Sequence, residues 1–562
     1  MYLDDHLYFF ITFVLDNLFI LLKKWYKIKV LKRKSHLILS LFLYLLLLVG
    51  FPFAALTKEE DSVVYSAKEL EHAVVNNKAC KILAGHVMFT FQPSGMVLTA
   101  DKAYQYDDTK QIEAWGNVKI MDKEGETIQA DFLSYDLEKK LAVLEKNVVC
   151  LSKKAKFYTS KLIYHTETKQ GEFFQNGKLV QDQLVLTSCT GAYNGAGHTV
   201  TFSKEVVLVD PSYRLHCDQL CYNTKQEIVY LEGPTKIIQE DSELTTEQGG
   251  TYSVPKKHLV FNHGTLTTKD VCLVADSLEV FDGKDCAATG HILLQSKAHD
   301  AVIVGEQATY IEKEKKAERT GHPLLTKVTG NETMYLRADT FIALEKPQKE
   351  KEKEGAKEGA KEQEIHALHN VRLYQESLQG MADGAVYNSG ENTIHFHNKP
   401  IIWCSGYQIT GEEVYLVIEE EEQVKMFVNK NLFMASADPV GNYNQVKGNK
   451  MVAHFKEGAV ETMSVTGNGE SLYFTLGDNN ELIGMNHIKC DSMEMRMIEN
   501  ALERMEFKPE PVGIFYPAEK VEEELMQLPG FDWHGEQLPT KANILEDPVK
   551  PEVPIERSES EG

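Results

Sequence analysis

The chain has 562 residues, of which 43% are hydrophobic and 25% charged, and a formal net charge of −23. Such a composition excludes wholesale disorder, and strongly apolar runs confined to the region before Thr57 exclude a polytopic membrane protein. Nucleic acid is excluded as a partner, because phosphates need clustered Lys and Arg: residues 1–36 carry +4 and residues 509–562 carry −9, which leaves −18 on the body between.

Residues 1–56 read as a basic segment followed by an export signal or membrane anchor. Leu37–Leu56 is uncharged and long enough to cross a bilayer as one hydrophobic helix. Lys23, Lys24, Lys27, Lys29, Lys32, Arg33 and Lys34 precede it. Basic residues stay in the cytoplasm, so the body after Thr57 is expected in the periplasm, either released there or anchored in the inner membrane by residues 37–56. Phe53 and Pro52 spoil the small-residue cleavage pattern around Ala54 and Ala55.

Residues 60–345 repeat one pattern: a small residue, an acid, then alternating apolar positions ending in Tyr or Phe and a polar residue. It reads Ala130-Asp131-Phe132-Leu133-Ser134-Tyr135-Asp136, and again Cys217-Asp218-Gln219-Leu220-Cys221-Tyr222-Asn223. Variants one residue longer run Ala100–Asp107 and Ala275–Asp282, the extra residue being absorbed by a β-bulge. Asp101 to Asp131 is 30 residues, and Asp218 to Asp276 is 58, twice 29. Between copies sits a second element, Ala114-Trp115-Gly116-Asn117-Val118, echoed at Ala288–Leu294. Each period therefore reads as two or more short strands separated by turns, with the acid at a strand start where it accepts backbone N–H bonds. The expected fold is all-β: repeated short antiparallel strands forming one elongated, or two to three stacked, open jelly rolls after the N-terminal helix.

Lys346–Glu364 holds six Lys and six Glu, buries nothing, and reads as a charged insertion. The pattern returns over 365–508, with Ala382–Asn388 as its clearest copy. Residues 509–562 hold eight of the seventeen prolines and read as an extended acidic tail, with at most a short helix at Glu519–Gln527.

No catalytic motif stands out. An acid recurring in every period suits a structural role better than a catalytic pair needed once, so no enzyme, cofactor or metal is expected. His395 and His397 share a strand face but lack a third ligand. Cys217 and Cys221, four apart, are expected on one face roughly 13 Å from each other, too far to bridge. A bridge between periods, such as Cys189 with Cys217, is left open by the odd count of nine cysteines.

The Ala-Asp motif with its trailing Tyr, alternating with Gly-Asn-Val, resembles the OstA-like (organic solvent tolerance) family of periplasmic lipopolysaccharide-transport bridge proteins. The best stretch is Val97–Leu151, and looser copies run to about Phe507. The resemblance implies open jelly rolls that hold lipid acyl chains between two sheets. It implies no enzymatic activity. The implied partners are lipopolysaccharide, inner- and outer-membrane transport proteins reached through edge strands, and further copies by self-stacking. Strand alternation then places Leu133 and Tyr135, Leu220 and Tyr222, and Leu278 and Val280 on the faces expected to line such a groove. The alternative is an exported structural or adhesive β-solenoid without lipid cargo.

Overall fold

A computed structural model describes residues 62–546, apart from 346–362 and short stretches at strand connections. The predicted N-terminal helix and anchor therefore lie outside the described residues, and no described helix is long and apolar enough to cross a membrane. The described chain is almost entirely antiparallel β and forms two compact units. The first comprises residues up to 268 together with 277–284; the second comprises 269–276 and 285 onward.

The first unit is a meander in which successive long strands pair in chain order, two short strands in places sharing one partner. β1 (Ser62–Ser66) and β2 (Glu69–Val75) both pair with β3 (Lys78–Gln92), one on each half of it. β4 (Met96–Tyr106), β5 (Gln111–Met121), β6 (Thr127–Asp136) and β7 (Leu141–Leu151) follow in order. The two elements expected in each period are thus successive strands, Ala114–Val118 within β5 and Ala130–Asp136 within β6, and each strand runs on through a bend that divides it into two arms.

The bend between the arms is a bulged corner. In β5 the residues Gly116 and Asn117 are both left-handed, at φ +74° and +46°. They face Asp101 of β4, where the pairing register slips between Thr99 and Lys102. Asn117 Nδ2 donates to the Asp101 carboxylate at 2.8 Å, and Asn147 does the same to Asp131 at 2.7 Å. At Ser160, which stands in the acid's place, the hydroxyl instead donates to the carbonyls of Phe174 and Gln175. Left-handed Asn117, Asn147 and Asn176 recur at intervals of 30 and 29. The acid therefore sits mid-strand and anchors a corner, where a strand start had been expected. Asn tolerates this backbone and Gly favours it, while β-branched residues resist it.

The polar residue closing each motif has its own task. Asp136 accepts the backbone N–H groups of Glu138 and Lys139 at 3.0 and 2.9 Å, fixing the hairpin after β6. Asn223 does so for Lys225 and Gln226, and Asn388 for Gly390 and Glu391. An Asx turn of this kind imitates a backbone turn.

In the second unit some strands break outright at the corner. Lys316–Thr320 and Leu324–Thr329 pair with the two arms of one strand, Ala301–Ile311. Glu332–Arg337 and Thr340–Glu345 both pair with Gln363–Gln375. Glu345 lies opposite Gln363, so the strand resumes two residues inside the segment read as a charged insertion.

The C-terminal region is a packed strap, which corrects the expected extended tail. Val512–Pro517 adds a strand beside Leu482–Ile498, and two 3-10 turns, Ala518–Lys520 and Glu523–Leu525, stand where a short helix was expected. Leu528 is buried with Phe433, Leu472, Phe474 and Met485. Two buried glutamines clamp the strap's backbone. Gln408 donates to the carbonyl of Asp532 and accepts from the N–H of His534, both at 2.7 Å. Gln445 donates to the carbonyl of Met526 and accepts from the N–H of Leu528, both at 2.8 Å. Farther on, Thr540 caps the helix Lys541–Leu545, whose Ile544 is fully buried with Val304, Leu324 and Tyr335.

Candidate functional site

The corners decide which side chains face inward. In β6, Thr127 and Ala130 are buried before the corner, and Leu133 and Tyr135 after it. The bulge shifts the alternation by one, so both arms present their apolar residues to the same interior. Leu83, Phe89, Leu98, Ile112, Leu133, Leu144 and Val148 meet there in one cluster, each at most 2% exposed. Burying a side chain of this size contributes about 1.5–3 kcal/mol. The outward faces carry their own contacts: Trp115 packs between Tyr104 and Phe132 at 4.8 and 5.6 Å.

All six residues assigned to an inward face are buried. Leu133 and Tyr135 belong to the first unit's core, where Tyr135 meets Phe91 edge-on at 5.5 Å. Leu220, Tyr222, Leu278 and Val280 lie in the same unit, none more than 7% exposed. Around Leu133 and Tyr135 this interior is a cluster of buried apolar side chains.

Among the described residues the second unit holds free space, lined by positions outside the six assigned to an inward face. An apolar groove of about 130 Å³ is lined by Leu294, Ile303, Leu336, Phe341, Leu378 and Phe396, among others. Four inward alanines, Ala317, Ala343, Ala367 and Ala385, open it by their small size. The engineered cavity that binds benzene is of about this volume, so the space fits a hydrocarbon segment. One charged side chain enters the wall. Arg319 is 5% exposed, and its Nε, Nη1 and Nη2 have no hydrogen-bond partner. Burial depresses its guanidinium pKa to about 10. Strand parity could have found it: in Lys-Ala-Glu-Arg-Thr, Arg319 shares a face with inward Ala317.

The remaining candidates resolve simply. Cys217 is buried and Cys221 half-buried on the opposite face, because the bulge between Cys217 and Gln219 reverses the alternation. This corrects the expectation of a shared face. All nine cysteines are free, so Cys189 and Cys217 form no bridge; the Cys189 thiol instead lies 3.6 Å from the Glu205 carboxylate. Burial pushes the thiols of Cys150, Cys217 and Cys404 up to about 12. His395 and His397 stack at 6.1 Å, and His395 stacks on Tyr415. Among the described residues no group of three or more His, Cys, Asp or Glu is placed to hold a metal ion. Asp276 and Asp383, acids of the repeat, bond His291 and His369 at 2.7 and 3.3 Å, which are corner contacts.

Comparison with known proteins bears on the repeats. Residues 60–218 match the family described as OstA-like protein, and this range contains the stretch Val97–Leu151 that carried the resemblance. No curated protein matches the chain. Among solved structures, a match is found to LptH of Pseudomonas aeruginosa, described as the LptA-homologous periplasmic component of the conserved lipopolysaccharide transport device. It covers 19% of this chain and 80% of that one at 15% identity, with a TM-score of 0.17. An overlay at that score carries no structural argument, so the kinship rests on the family match.

Proposed function

We propose that this chain, whose residues 60–218 are OstA-like, is a non-catalytic periplasmic carrier. It holds the acyl chains of lipopolysaccharide against the inner faces of its bent strands and helps move them toward the outer membrane. The observation that carries this reading is the apolar groove of the second unit, on the same kind of inward face that the family match covers in the first. Each CH₂ moved from water into such a groove contributes about 0.8 kcal/mol, so a segment of a few methylenes suffices for measurable retention. Leu133, Tyr135, Leu220, Tyr222, Leu278 and Val280 extend the acyl-contacting face into the first unit, where admission of a chain requires the two arms to part.

Edge strands supply the route to partners. β1 and β2 expose Val64, Leu70 and Val74, and the strand Val512–Pro517 exposes Val512, Ile514 and Phe515. Open strand edges with apolar side chains suit β-augmentation by another copy or by a membrane transport protein. A structural or adhesive protein without cargo is the second reading, favoured by the buried apolar cluster of the first unit.

Photo-crosslinking in living cells separates the two. Groups at Leu133, Tyr135, Leu278, Phe341 and Leu378 should give lipopolysaccharide adducts, with none at exposed Lys139. Absence of lipid adducts at every inward position would leave the structural reading.

A further inference from the structure

We propose that the groove of the second unit takes an acidic amphiphile: a lipid chain bearing a carboxylate or phosphate that pairs with Arg319. The inference rests on the carrier reading and names the charge of its cargo. Arg319 lies on a five-residue strand, Lys316–Thr320, opposite Ala308 on one side and Phe341 on the other. Phe341, Ala317 and Ala343 line the groove with it, and no lining residue is acidic. The guanidinium is 5% exposed and all three of its nitrogens lack a protein acceptor.

An unpaired buried guanidinium is among the costliest groups a fold can hold, because it stays protonated and has lost its water. In a wall otherwise apolar, it has one economical complement: an anion delivered on an apolar chain. Guanidinium and carboxylate or phosphate match two hydrogen bonds at once, while the methylenes behind the acid fill the alanine-lined space. A second cation is placed alongside. Lys327 is buried on the strand Leu324–Thr329, two residues from Leu325 and opposite Met334, both of which line the groove. Burial lowers its pKa to about 7, so an anion arriving nearby would favour its charged form.

The test uses the full chain and three probes of equal length, dodecanoate, dodecyl phosphate and 1-dodecanol, each displacing the uncharged dye N-phenyl-1-naphthylamine below micellar concentrations. Either acid should bind at least tenfold tighter than the alcohol, and the tighter of the two identifies the source as a carboxylate or a phosphate headgroup. Arg319→Met should abolish that preference while retaining dodecanol, which also reports that the groove has folded. If that variant does not fold, Arg319→Lys keeps the charge without the fork, and its preference for acids should shrink but persist. Equal binding of all three probes to the unaltered chain would overturn the charge inference and leave the acyl-carrier reading standing. Binding of none would overturn both.

Discussion

The corner makes a quantitative claim that a double-mutant cycle can test. A Cβ added at Gly116 would sit 2.6 Å from Asp101 Oδ2 and 3.1 Å from its Cβ, on a backbone at φ +74°. Holding alanine in the left-handed region costs about 1–2 kcal/mol. The carboxylate can swing away from the new methyl, but it then releases Asn117, and a net hydrogen bond is worth about 1 kcal/mol. Gly116→Ala should therefore cost about 2–3 kcal/mol, the sum of these two contributions. Asp101→Ala alone should cost about 1 kcal/mol. In the double variant the clash and the bond are already gone, so its cost should equal that of Gly116→Ala, leaving a coupling of about 1 kcal/mol.

Hydrogen exchange read on peptides spanning β4 to β6 suits a long chain whose parts open separately. Protection should fall about 30- to 150-fold for Gly116→Ala, about fivefold for Asp101→Ala, and no further for the pair. A double variant that loses the fivefold again would refute the shared corner, as would a silent Gly116→Ala.

Three other outcomes follow from the same geometry. Gln445→Ala removes two bonds to the strap, about 2 kcal/mol, so exchange should quicken over residues 521–534 while β4 to β6 stay unchanged; uniform quickening would mean the strap is not a separate element. Native protein should leave Cys150, Cys217 and Cys404 unmodified by N-ethylmaleimide near neutral pH, whereas nine adducts should appear in denaturant without reductant, and seven would reveal a bridge. The bond to Asp276 raises the His291 pKa, so its small stabilisation is full below about pH 6.5, the unfolded value, and fades as pH rises through the raised folded one. His291→Asn, the residue found at Asn117 and Asn147, should keep the corner and flatten that dependence; an unchanged pH profile of exchange at residues 285–296 would count against it.

The sequence made the period and the inward face legible. Alternation resumes after each acid, so Leu133 and Tyr135, or Leu220 and Tyr222, could be placed on one face from spacing alone. It hid the arm that precedes each acid, because an acid beside a bulge looks like a turn at a strand start when only residue types are visible. The same shift separated Cys217 from Cys221. Arg319 was legible only in part: parity within Lys-Ala-Glu-Arg-Thr puts it on one face with Ala317, but only the partner strands show that this face is covered. The strap was missed because Gln408 and Gln445 bind backbone groups, and backbone partners leave no mark on composition.

These corners also leave the inward positions of each unit free to vary. Asp101, Asn117, Asp131 and Asn147 bend the strands from outside, with exposed side chains, so the bend places no demand on the residues inside. Inward positions can change size without losing the corner. Both units set alanines beside their corners. In the first, Ala100, Ala103, Ala114 and Ala130 belong to one buried cluster with Phe89, Phe91 and Tyr135. In the second, Ala317, Ala343, Ala367 and Ala385 line a groove of about 130 Å³ together with Phe341, Phe396 and Arg319. An apolar groove of that kind left facing water forgoes about 25 cal/mol for each Å² that a ligand would cover. Adding an unpaired guanidinium to its wall compounds the cost. Both penalties vanish together if the space is meant to be occupied, and by a chain that brings its own negative charge.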